Sequence, residues 1–165
     1  TKWPSEELNP SFSPDGSKLA FFSDYASPKK GKKRRKRKRI RRKGGQSIYV
    51  VDLEKGGEPY LVVKNVVANE SSGPAWSPDG SWLVYVKDYQ KGVVVDPIRA
   101  AKPEPNAKEV KLKTGTVSNK DPVIAKYNVR WHMAFSAIGR IKDGANRTWR
   151  KIYVTPLDKL QTAPQ

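Results

Sequence analysis

Thirteen of the fifteen residues from Lys29 to Lys43 are lysine or arginine, and the chemistry open to such a run is the capture of anions. The cations are Lys29, Lys30, Lys32, Lys33, Arg34, Arg35, Lys36, Arg37, Lys38, Arg39, Arg41, Arg42 and Lys43, interrupted only by Gly31 and Ile40. No aromatic side chain lies among them to stack on bases, so contact with phosphates or carboxylates is what the composition permits. An acidic protein surface, nucleic acid and anionic lipid headgroups all satisfy that electrostatics. The chain has 33 basic and 16 acidic side chains, a balance of +17, and without the run 20 face 16, or +4. One segment therefore carries most of the charge of an otherwise nearly neutral protein.

Catalytic chemistry finds less to work with. His132 is the only histidine and stands in an aromatic stretch, where a structural imidazole is the favoured reading over a general base. Ser13 and Ser77 precede prolines, and Asp15 and Asp79 follow them, so turn geometry accounts for all four. Gly139 to Gly144 has the outer spacing of a phosphate loop, but Ala145 and Asn146 stand where such a loop needs Lys and then Ser or Thr. No cluster of His and carboxylates has metal-ligand spacing, and the chain has no cysteine, which excludes disulfides and thiolate metal sites. No catalytic residue, metal or cofactor is expected. The sequons at Asn69 and Asn146 carry little weight without a eukaryotic secretory setting.

The elements around the run form a repeat. Asn9 to Phe22 reads NPSFSPDGSKLAFF, and Gly73 to Val86 reads GPAWSPDGSWLVYV. Pro14 and Pro78 preset φ at the second turn position, while Gly16 and Gly80 accept a left-handed backbone, so each copy is predicted to be a tight hairpin. After the first copy, Ile48 to Leu53 and Tyr60 to Val63 supply a third and a fourth strand. After the second, the expected order is Gly92 to Val95, a linker carrying Pro97, Pro103 and Pro105, and a strand over Val110 to Leu112. The turn aspartates are 64 positions apart, and excising an insertion of roughly 20 residues leaves about 44, within the range for four-stranded propeller blades. A degraded third unit is expected from Asn128, where VRWHMAF opens it and RKIYVTPLDKL echoes SIYVVDLEKGG.

The aromatic, Ser-Pro-Asp-Gly, alternating strand and Ile-Tyr-Val-x-Asp-Leu pattern resembles the TolB-like β-propeller repeat, a relative of WD-type blades. That resemblance covers residues 9–64 well, 74–96 fairly and 128–158 weakly. It implies an all-β fold, a partial propeller of two to three four-stranded antiparallel blades in one domain, 1–165. Blade 1 spans about 8–64 with the basic insertion at 26–45, blade 2 about 73–113, and a degenerate blade 3 about 128–160. Such propellers are usually extracytoplasmic binding platforms in bacteria, and related blades cap peptidases of the prolyl oligopeptidase type.

The function expected from these readings is that of a non-enzymatic accessory or docking subunit, bacterial and periplasmic or otherwise extracytoplasmic, whose basic loop binds an acidic partner. Alternatives are a nucleic-acid-binding subunit using the same loop for phosphates, and the propeller fragment of a peptidase. Two or three blades fall short of a closed propeller, so the open faces are expected to be covered by another subunit, a second copy or further sequence. The chain begins at Thr1, which fits a processed protein or a fragment, and its longest apolar runs are far too short to span a bilayer. Core packing is the favoured role of Trp3, Trp82, Trp131 and Trp149. Trp82 is singled out as a candidate interface anchor because it takes the place of Lys18 in the first copy.

Overall fold

The structure, a computed structural model, describes residues 5–25, 46–67, 73–87, 97–139 and 149–161. These residues build three antiparallel sheets that follow one another in chain order. The first is a four-stranded meander of β1 (Glu7–Phe12), β2 (Lys18–Ser23), β3 (Gln46–Asp52) and β4 (Tyr60–Val66). A second meander of the same order contains β5 (Ala75–Trp76), β6 (Leu83–Val86), β7 (Ile98–Ala101) and β8 (Val110–Lys111). The third has three strands, β9 (Thr116–Tyr127), β10 (Arg130–Gly139) and β11 (Lys151–Pro156), with β10 at its centre, and ends in a single helical turn, α1 (Asp158–Gln161). The fold is all-β, as the alternating aromatic patterns require.

Strand alternation stacks the sheets. Successive side chains point to opposite faces, so Leu83 and Tyr85 of β6 meet the first sheet while Val84 and Val86 meet the third. Between sheets one and two lie Phe22, Ile48, Val50 and Val63 against Trp76, Leu83, Tyr85 and Ala101. Between sheets two and three lie Val84, Ile98 and Ala100 against Trp131, Met133 and Phe135, closed below by Leu157 and Leu160. All four residues of β6 are buried, the pattern of a strand with both faces covered.

Hydrogen bonds and one ion pair hold the first two sheets together along both edges. On one side the Trp76 indole N–H donates to the Ser11 carbonyl at 2.9 Å, and a Cβ on Gly73 would overlap the Asn9 carbonyl oxygen. Glycine at 73 is what lets the two chains approach there. On the other side the open edge of β4 is occupied: the Asn106 and Ala107 amides donate to the Leu61 and Val62 carbonyls at 2.9 and 3.0 Å. Glu109 pairs with Lys87, whose ammonium also donates to the Lys64 carbonyl at 2.6 Å, so the same corner is tied by charge. Burial, reinforced by the nearby Glu109 charge, pushes the Tyr85 phenol far up, and it stays neutral under that corner.

Two expectations about the later strands need correction. The third strand of the second sheet is Ile98–Ala101, inside the segment expected to be a linker; Gly92 to Val95 lie outside the described residues. Pro97 stands just before that strand and Pro103 and Pro105 just after it, so the prolines mark its ends instead of excluding it. The third sheet also starts earlier than Asn128, because β9 pairs with β10 from Thr116 onward. Two bulges hide β9 from a period-two reading: its register slips by one residue on either side of Ser136, with Asp121 and Ser118 at φ of 49° and 52° supplying the extra positions. Finally, the Leu-Asp-Lys-Leu tail forms the helical turn α1 and puts Leu157 and Leu160 in the core.

Because Leu83 serves a core shared by two sheets, Leu83→Ala is expected to cost about 2–5 kcal/mol. Urea unfolding followed by tryptophan fluorescence and by circular dichroism should shift as one transition; a shift confined to part of the signal would show that the sheets unfold independently.

Candidate functional site

The cationic segment Lys29 to Lys43 lies outside the described residues, but its two anchor points do not. Strands β2 and β3 pair without a break from Lys18 opposite Asp52 to Ser23 opposite Ser47. The insertion therefore leaves from one end of a complete two-strand ladder and returns directly opposite. Its root is an aromatic clasp on the face of the first sheet turned away from the second: Phe21 stacks on Tyr49 at 6.2 Å, and Tyr25 meets Tyr49 edge-on at 6.1 Å. The Tyr49 hydroxyl donates to the Tyr25 carbonyl at 2.8 Å, and the Tyr25 amide donates to the Ser23 hydroxyl at 3.0 Å. Burial raises the Tyr49 phenol above its usual range, with Tyr25 adding to the effect. Sequence reading found the run itself but not this clasp, whose only signal was aromatics flanking the charge on both sides.

The two Ser-Pro-Asp-Gly turns are built alike, and their carboxylates are consumed by their own loops. In the first, the Gly16 amide closes a turn onto the Ser13 carbonyl at 2.9 Å, with Gly16 at φ 74°. The Ser13 hydroxyl donates to Asp15 at 2.6 Å, and the same aspartate accepts from the Ser17 amide at 3.0 Å and hydroxyl at 2.8 Å. These bonds, the Ser13 hydroxyl first, hold the Asp15 carboxyl at about 2, against an ordinary 3.8. At Asp79 burial works in the opposite sense, but the Ser77 hydroxyl with the Ser81 amide and hydroxyl outweighs it, and the net direction is again down. Ser13 and Ser77 are thus turn residues, each paired to a carboxylate that stays ionised.

His132 lies on the outward face of β10, paired across the sheet with Ala125 and Pro156, neither of which can share a proton with it. Its Nδ1 is buried with no hydrogen-bond partner among the described residues, and its ring meets Tyr127 edge-on at 6.3 Å. Trp82, the candidate interface anchor, is 8% exposed and sits in the core against the third sheet. It faces inward, so this chain's own packing uses it. Trp131 is buried in the same core, Trp149 is exposed, and Trp3 lies outside the described residues. No group of three His, Asp or Glu side chains suited to a metal occurs among the described residues.

One surface escaped the sequence reading. The third sheet turns Trp131, Met133 and Phe135 inward and presents its other face to solvent. Register places Val154 and Val123 on either side of Ala134 there, with Ile152 beside Ser136 in the adjoining row. Ile152 is 73% exposed, Val154 65% and Val123 54%. The signal lay in Ile-Tyr-Val at 152–154, apolar at both parities, which reads as a strand with cover on both faces.

The fold and these surfaces define an all-β protein of stacked antiparallel sheets with two chemically distinctive regions, a cation-rich insertion and an open apolar sheet face. No family model matches the chain, and no curated protein matches it. Among solved structures, the AtxE2 isopeptidase in its apo form is similar over 81% of this chain, with a TM-score of 0.49 and 16% identity. The chain spans 21% of the length of that structure's chain, and a likeness at this level carries no argument about chemistry.

The turn geometry has a pH signature. Asp15 has a folded pKa below its unfolded one, so the stability it contributes is present above about 3.8 and is lost as pH falls toward about 2. Asp15→Asn is expected to lower the urea midpoint at pH 7 and to make little difference near pH 2. An equal deficit at both pH values would mean that the carboxylate charge is not what the turn uses.

Proposed function

We propose that this protein is a non-enzymatic docking subunit of a larger assembly, in which the arm Lys29 to Lys43 clamps an acidic protein surface. The observation that carries the reading is the unbroken pairing of β2 with β3 across the insertion. Neighbouring strands of a meander need a connection of only a few residues, so the arm adds nothing that the sheet requires. Its position at a loop on a packed scaffold is where binding segments can lengthen without loss of fold. Thirteen cations on a body whose remaining balance is +4 give the interaction one sign and one location.

We read the scaffold as a partial propeller of the TolB-like type. Support comes from two four-stranded meanders that share one turn chemistry and stack face to face, with their first strands, β1 and β5, in contact through Trp76 and Ser11. The bacterial extracytoplasmic setting follows from that resemblance alone. An acidic protein is favoured over nucleic acid because the arm has no aromatic residue for base stacking, and base-blind phosphate contact would leave the sheet scaffold without a role.

Replacing residues 29–43 by a Gly-Ser segment of equal length tests the proposal on the native complex. The altered chain is expected to migrate free of its partner on size exclusion at physiological salt. Its unfolding free energy should stay within about 0.5 kcal/mol of the parent, because changes that touch no packed feature rarely do more. Retention of the altered chain in the complex contradicts the proposal, as does release of the unaltered chain by nuclease.

A further inference from the structure

The first two sheets end in a fourth strand, and the third ends at β11. One bond just past that strand sets the phase of its ladder: the Leu157 amide donates to the Trp131 carbonyl at 2.9 Å, and the register places 157 opposite 131. Hydrogen-bonded pairs alternate along an antiparallel ladder, so Lys151, Tyr153 and Thr155 turn their amides and carbonyls toward β10. Those of Ile152 and Val154 point the other way, to the outer edge. Pro156 has the same parity, and its nitrogen, with no hydrogen to donate, falls on the side where β10 loses no bond. Among the described residues no backbone group pairs with that edge.

The place beside β11 suits a single strand. Strand β9 lies against β5 and β6, so the three strands of the third sheet, counted outward from there, end before β8. Val110 of β8 and the following Leu112 nevertheless belong to the core on which Tyr153 packs. A second copy would bring its own wider second sheet against β8 before its edge could reach β11, whereas one extended segment would lie over β8. The protein already seats such a segment at the edge of β4, where the Asn106 and Ala107 amides donate to the Leu61 and Val62 carbonyls.

We propose that the outer edge of β11 binds an extended polypeptide segment of a partner protein, which adds a fourth antiparallel strand to the third sheet. An amide donor and a carbonyl acceptor on one residue, repeated two residues on, match the backbone of an extended chain. The segment's residues opposite Val154 and Ile152 exchange both bonds with them. Their side chains lie on the outward face beside Ile152, 73% exposed, and Val154, 65% exposed, where β-branched apolar residues fit. The residue between them turns inward beside Tyr153 and is apolar as well, and a carboxylate suits the position opposite the exposed Lys151. The seat does not involve the arm, so it stands or falls apart from the docking role given to Lys29 to Lys43.

The test titrates the native chain into a fluorescent peptide, Thr-Val-Phe-Val-Glu flanked by Gly-Ser, and follows anisotropy. Two further versions carry backbone N-methyl groups, one on both valines, whose amides would donate to β11, the other on Phe and Glu, whose amides would point away. All three peptides have the same charge, so any attraction to the arm is common to them. The parent and the Phe/Glu-methylated peptide are expected to bind alike, and the valine-methylated one at least about tenfold more weakly. Val154→Pro removes an outward donor and none that β10 uses, and should weaken the parent peptide by a similar factor with an unchanged melting curve. The comparison of the methylated peptides is made on the unaltered chain and decides the matter whatever the stability of that variant. Equal binding of the two methylated peptides, binding of none, or displacement of the peptide by self-association of the chain each overturns the proposal.

Discussion

Strand β6 has no side that faces water, and the arrangement of the three sheets depends on that. Leu83 and Tyr85 are committed to the first sheet, Val84 and Val86 to the third, and the strand belongs to two cores at once. A fully buried side chain of this size contributes on the order of 1.5–3 kcal/mol, so four in succession make the middle sheet the element the others are organised around. The edge contacts then fix the stacking geometry. Trp76 to Ser11 on one side and the Asn106 and Ala107 amides on the other prevent the first two sheets from sliding past each other. They also occupy an edge strand that would otherwise be open to pairing with other chains.

Much of this was legible in the residues, and what was not has a physical cause. The two Ser-Pro-Asp-Gly turns announce themselves because proline, aspartate and glycine each do a distinct job at a set position, and the strands of the first sheet follow from the β-branched and aromatic runs that those turns and Gly56-Gly57 separate. Strand β9 was missed because Pro122 and two bulges break its period, and Asp121 and Ser118 adopt left-handed conformations that a pattern of alternation does not anticipate. Strand β7 was missed because three nearby prolines read as a linker. Trp82 shows the limit of comparing repeats position by position. Its counterpart Lys18 belongs to the first sheet, whereas Trp82 has the third sheet to pack against, so the same place in the repeat has a different neighbour.

The site reading divides along the same line. The arm was visible at once as a charge run, and what the structure adds is its root: a complete β2–β3 ladder and a clasp of Phe21, Tyr49 and Tyr25. A paired root matters for a cationic arm, because it fixes where the run of charge leaves the sheet and where it returns. The open face of the third sheet is not legible in the sequence, since exposure cannot be read from a segment apolar at both parities. In the proposed reading the sheets supply shape and the arm supplies charge.

The central claim is that the arm meets protein, and it can be tested where contact occurs. A photo-crosslinking amino acid at Ile40, the uncharged side chain within the run, reports whatever lies against the arm in the source cells while leaving every cation in place. The account predicts an adduct that resists nuclease and whose crosslinked peptide is rich in aspartate and glutamate. An adduct that nuclease digestion removes would contradict it.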